Sequence, residues 1–211
     1  MKKKTFLAMA GNIGSGKTTA AKLISQNFGF ELFDEPVIDN RFLKSYYADM
    51  RRWSFTLQME FLMKRVEHHE LIRNVPKSCI QDRTLYEDPE IFAKYLHGLG
   101  HMGDRELDLY FEYFNRLNRD LLRPDLIIFL GVNDVDTLLK RIQVRGREEE
   151  RSIDPAFLIG LNAYYSTFAQ VCEKKYGIPV HRVNVEKLDL RSKLGKQTFL
   201  DRIELVLEEI Q

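Results

Sequence analysis

Short apolar runs rich in β-branched and aromatic residues alternate along this chain with longer stretches whose apolar residues recur every three or four positions. That alternation predicts an α/β fold. Parallel strands need a long crossover between them, and an amphipathic helix supplies it. The predicted strands are Phe6–Ala10, Phe30–Phe33, Ser78–Gln81, Leu126–Leu130 and Pro179–Val185. Leu126–Leu130 is apolar at every position, as expected of a strand covered on both faces. Helices are predicted over 18–27, 53–73, 89–96, 104–122, 135–146, 154–175 and 199–210. In the second of these, Phe55, Leu57, Phe61, Leu62, Val66 and Ile72 follow helical spacing. No repeat, low-complexity tract or linker divides the 211 residues, so a single domain, 1–211, is expected.

Composition narrows the partners. Lys and Arg total 32 against 31 Asp and Glu, a net charge of +1. A protein that lives on nucleic-acid polymer needs a basic excess, so none is expected as a partner. Two cysteines, Cys79 and Cys172, are too few for a metal cage or a disulfide framework. They read as buried thiols of a reduced, cytoplasmic chain. No apolar run reaches the roughly 18 residues of a membrane span, so no membrane association is expected. The basic start before Phe6 mimics a secretory signal, but its apolar stretch runs directly into Gly11-Asn12 and reads as a strand. Adjacent His68 and His69 are too closely spaced to face one metal and read as a solvated or dimer-facing patch.

The strongest chemical signal is Gly11-Asn12-Ile13-Gly14-Ser15-Gly16-Lys17-Thr18, a full G-x-x-x-x-G-K-[ST] between a predicted strand and a predicted helix. Such a loop turns successive backbone N–H groups toward phosphate and adds the positive end of the helix. Lys17 is expected to reach the outer phosphates and Thr18 to hold Mg²⁺, with Thr19 beside it. Gly98-Leu99-Gly100-His101-Met102-Gly103 spells G-x-G-x-x-G, yet a helix precedes it, so it reads as a helix-to-helix turn.

A kinase also needs an acceptor site, a base and cations for the transferred group. Glu35 follows the second strand, at the strand ends where open α/β sheets bind ligands, and could take a hydroxyl proton. Asp82 and Arg83 end the third strand, suited to Mg²⁺ and to phosphate respectively. Arg141, Arg145 and Arg147 form a basic cluster after the fourth strand, with a lid expected over about 141–151.

The ordered set of the phosphate loop, Glu35-Pro36, Arg52-Trp53-Ser54-Phe55 with Gln58, Asp82-Arg83-Thr84 and Arg141 to Glu150 resembles the deoxyribonucleoside kinases. The segment Gln81 to Asp88 is most similar to the bacterial deoxyadenosine/deoxyguanosine kinases. The resemblance implies a P-loop kinase fold with five parallel strands, helices on both sides and an arginine-rich lid. It implies transfer of the γ-phosphoryl group of ATP, with Mg²⁺, to the 5′-hydroxyl of a deoxynucleoside, in a homodimer. It further implies Glu35 as the base and Arg83 near the hydroxyl and the phosphates. Tyr47 and Glu150 fall on the pair for the sugar 3′-hydroxyl, Gln58 on the base edge and Phe92 on the base face. Arg141, Arg145 and Arg147 fall on the lid arginines. An Arg65–Asp88 pair resembles members that take deoxycytidine, deoxyadenosine or deoxyguanosine, and disfavours thymidine. Thr84, where Ser is commoner, and Gly131, where an acid is common, depart from the pattern.

Two other readings use the same loop. A monophosphate kinase of thymidylate-kinase type needs cations at the second strand, where this chain has Asp34, Glu35 and Asp39. A catalytically silent nucleotide sensor would not need Lys17, Thr18, Glu35 and Arg83 together.

Overall fold

The computed structural model describes residues 4–34, 40–150 and 153–210, without the Glu149 side chain. Five parallel strands form one sheet in the order β2-β3-β1-β4-β5: β1 Phe6–Ala10, β2 Glu31–Phe33, β3 Cys79–Gln81, β4 Leu126–Gly131 and β5 Val180–Asn184. The predicted fold class is the observed one. The inner strands β1 and β3 are buried throughout and β4 nearly so, whereas the edge strands β2 and β5 keep exposed residues. The strand order reverses around β1, and such a switch point opens a crevice at the carboxyl ends of the strands.

The helices are α1 Lys17–Phe28, α2 Leu43–Ala48, α3 Met50–Asn74, α4 Lys94–Gly98, α5 Asp104–Asn118, α6 Val135–Arg145, α7 Pro155–Val171 and α8 Lys193–Ile210. Their ends carry the expected stop and start chemistry. Gly29 and Gly146 adopt left-handed conformations that close α1 and α6. Asp134 and Asp154 accept backbone N–H groups at the starts of α6 and α7. Central-sheet side chains such as Leu7, Met9, Ile80 and Ile128 are wholly buried, each contributing about 1.5–3 kcal/mol.

Five local features differ from the sequence reading. The helix expected over 89–96 opens with a wider π-type segment, Asp88–Ala93, and the one over 154–175 closes with another, Cys172–Tyr176. The helix expected to Leu122 stops at Asn118, whose side chain accepts the Tyr86 hydroxyl at 3.0 Å. Helix α8 begins six residues early, where Gly195 lies against the Asp189 carbonyl so closely that a Cβ would stand 2.0 Å from it. His69 is buried rather than solvated. It packs edge-on against Phe6, donates Nδ1–H to the Leu122 carbonyl at 2.9 Å and sets Nε2 3.1 Å from the Gln81 amide. Burial holds its pKa down at about 4, so the ring stays neutral. Both cysteines are free and buried. Among the described residues no helix is long and apolar enough to cross a membrane.

Candidate active site

A cavity of about 390 Å³ opens at the switch point. Residues 13–19 of the phosphate loop form one end; Tyr47, Gln58, Arg65, Asp88 and Phe92 form the other. Arg83, Arg141, Arg145, Arg147 and Glu150 line it between them. Asp82 sits just behind that lining.

The loop is shaped by glycine where nothing else fits. Gly11 has φ 145°, and a Cβ there would meet the Leu130 carbonyl and Ser15 Oγ at 2.7 Å. Gly14 has φ 81°, with the Leu138 carbonyl equally close. Gly11 and Asn12 shape the loop from outside the cavity lining. The Gly11 N–H donates to Glu87 at 3.0 Å, and the Asn12 amide reaches the Leu158 carbonyl and Asn162. Lys17 folds back on its own loop, donating to the carbonyls of Gly11 at 2.7 Å and Asn12 at 3.0 Å. Arg141 ties the loop to the segment after β5, donating to the carbonyls of Ser15, Val185 and Glu186. Buried Ser15 Oγ has no hydrogen-bond partner among the described residues.

The Thr18 hydroxyl donates to Asp82 Oδ2 at 2.5 Å, which brings two hard oxygen donors together at the foot of the loop. That donor set fits Mg²⁺, which favours oxygen ligands and shares them with phosphate and water.

At the other end, the π-type segment carries Asp88 and Phe92 to one wall, opposite Gln58 and Arg65 of α3. Arg65 Nε donates to Asp88 Oδ2 at 2.5 Å, with both side chains at most 2% exposed. Burial pushes the Asp88 carboxyl up to about 6, against the pull of Arg65. The Gln58 Oε1 atom is buried without a partner among the described residues. An unsatisfied buried amide facing a cavity is a group waiting for a polar ligand. Tyr47 lines the wall from α2, which packs against the 3₁₀ turn Glu148–Glu150. Glu150 pairs with Arg145 and, at 3.3 Å, with Arg147.

Arg83 is the one non-glycine residue with positive φ, 77°, among the described residues. That conformation costs about 1–2 kcal/mol for a side chain with a Cβ. Its guanidinium lies 4.8 Å from the Phe92 ring centre and 3.5 Å from the Glu87 carboxylate. Glu35, the expected base, lies outside the described residues, as does Arg151 of the expected lid. Two sets of residues here escaped the sequence reading. Leu188, Asp189, Leu190 and Arg191 line the phosphate-loop end, and no local pattern marks them. Glu87 stands within the quoted segment Gln81 to Asp88; besides its local partners Arg83 and Thr84 it reaches Gly11 and Tyr165, which only the tertiary fold brings to it.

The profile of the deoxynucleoside kinases matches residues 7–208 of this sequence. The chain belongs to the deoxynucleoside kinase family. A deoxyadenosine kinase of Dictyostelium discoideum is 36% identical over 85% of this chain and 72% of its own length. The deoxyadenosine/deoxycytidine kinase of Bacillus subtilis is 30% identical over 99% of this chain and 96% of its own. A solved deoxyadenosine kinase of M. mycoides, bound to dCMP and dCDP, superposes with a TM-score of 0.83 at 32% identity. It covers 97% of this chain and 100% of that one. The family assignment makes this deoxynucleoside kinase an ATP-dependent phosphotransferase. It decides against both the monophosphate kinase and the silent sensor.

Proposed function

We propose that this kinase transfers the γ-phosphoryl group of ATP to the 5′-hydroxyl of deoxyadenosine and deoxyguanosine, with deoxycytidine as a further acceptor. One observation carries the reading. The cavity that begins at the phosphate loop ends in an orphaned Gln58 amide oxygen beside a buried Arg65–Asp88 pair. A planar amide donates and accepts at once, as a base edge requires, and its free oxygen suits an exocyclic amino group. Phe92 offers an aromatic face to the base. The Arg–Asp pair occupies the room that a thymine methyl needs. The names of the D. discoideum and B. subtilis relatives agree with this preference.

Glu35, two residues after β2, takes the hydroxyl proton. Arg83 and the lid arginines of 141–151 stabilise charge on the transferred group, while Lys17 and the loop amides hold the triphosphate. Tyr47 and Glu150 bind the sugar hydroxyl. Thr18 and Asp82 would hold Mg²⁺, which when bound neutralises phosphate charge. The enzyme works in the cytoplasm as a single-domain subunit of a homodimer. In support of the dimer, Met63 and Leu71 of α3 and Leu109 and Tyr113 of α5 are 41–56% exposed on two helices that pack together. A panel of deoxynucleosides with ATP tests the reading: rates should rank the two purines first and thymidine last. A thymidine preference would overturn it.

A further inference from the structure

Arg83 is held by groups that the reading above leaves without a role. Glu87 is fully buried, at 0% side-chain exposure. Its Oε1 accepts the Gly11 N–H at 3.0 Å and the Tyr165 hydroxyl at 2.5 Å, and lies 3.5 Å from Arg83 Nη1. Its Oε2 accepts the Thr84 N–H at 3.1 Å. The Tyr165 hydroxyl also lies 3.0 Å from the Gly11 carbonyl oxygen. A single carboxylate therefore touches the start of the phosphate loop, the end of β3, helix α7 and the arginine.

The charge of Glu87 needs an explanation. Two backbone amides and a tyrosine hydroxyl are satisfied equally by a neutral acceptor, and a buried carboxylate is costly unless it is paired. The partner that requires a charge is Arg83. Its backbone is left-handed, with φ 77°, and its guanidinium lies 3.5 Å from the Glu87 carboxylate.

We infer that Glu87 is a positioning residue for phosphoryl transfer, fixing the Arg83 guanidinium relative to the phosphate loop with Tyr165 as a second support. The inference rests on the reading of Arg83 as the arginine that meets the transferred group. Because the loop amides and Lys17 still hold ATP, a misplaced Arg83 lowers turnover more than binding.

Glu87→Gln keeps shape and acceptor capacity and removes the charge. Its kcat should fall about tenfold to a hundredfold, the cost of a misplaced catalytic group. KM for ATP and for deoxyadenosine should change by less than about threefold. Tyr165→Phe should lower kcat in the same direction by a smaller factor, and it carries the test if Glu87→Gln fails to fold by circular dichroism. In an Arg83→Lys background, Glu87→Gln should add almost nothing, since it acts through a group already lost. The inference is overturned if Arg83→Lys is impaired but Glu87→Gln turns over normally. It is equally overturned if the two losses simply multiply, which marks a general structural role. Full turnover by Arg83→Lys sinks the reading of Arg83 itself, and the inference with it.

Discussion

The two ends of the cavity are built on different principles. The end proposed for the phosphate donor is shaped by one contiguous loop, residues 11–19, made of backbone amides, three left-handed glycines and one lysine. The proposed acceptor end is assembled from side chains of α2, α3 and the π-type segment, from Tyr47 to Phe92. Backbone groups bind triphosphate by geometry that sequence encodes locally. Side chains converging from distant elements bind a base by chemistry that only tertiary packing assembles. A substitution at the donor end should therefore cost rate for every acceptor, whereas one at the acceptor end should change which acceptor is used.

The sharpest way to break that contrast is Lys17→Ala. Loss of the loop lysine should lower kcat by about a thousandfold or more for every deoxynucleoside, with an unchanged circular dichroism spectrum. A loss confined to one acceptor would contradict the division. Next, Glu35→Gln should cut turnover about 10²–10⁴-fold, the usual contribution of a general base, with nucleoside affinity nearly intact. Unchanged turnover would remove Glu35 from that role.

Arg65→Met with Asp88→Ala acts on the acceptor end alone. The ratio of thymidine to deoxyadenosine turnover should rise about tenfold or more, while KM for ATP stays within a factor of about two. An unmoved ratio would show that the pair does not read the base. The smallest effect is the acid dependence of that pair. With the Asp88 carboxyl near 6, the residue is ionised above that pH and binds a proton below it. KM for deoxyadenosine should then rise a few-fold, about two to five, as pH falls through 6, and Asp88→Asn should flatten the profile. Because the folded-state value is raised, stability linked to this group is greatest in acid and is lost as pH rises through 6.

The same contrast explains what the sequence made legible. The strands, the parallel sheet and the donor loop follow from runs, periods and one motif, each confined to a few neighbouring residues. Gln58, Arg65, Asp88 and Phe92 carry no local signal and entered through a family resemblance. Their convergence on one wall depends on a π-type segment that periodicity reads as an ordinary helix. His69 and Glu87 mark the limit from the other direction. Polar residues are read as exposed unless partners are visible, and the partners that bury these two, Gln81 and Leu122 for His69, Gly11 and Tyr165 for Glu87, lie 12 to 78 residues away. The residues 188–191 that line the donor end are likewise set by a close approach, that of Gly195 to Asp189.

Every cation that lines the cavity already has an internal partner. Lys17 and Arg141 donate to carbonyls, Arg65 pairs with Asp88, Arg83 with Glu87, Arg145 and Arg147 with Glu150, and Arg191 with Asp189 at 3.6 Å. A triphosphate entering this enzyme meets a positive field that is partly offset, four carboxylates against seven cations; it takes cations over from acceptors that they already serve. Association is then an exchange of partners, and its dependence on ionic strength should be shallower than seven positive side chains would suggest.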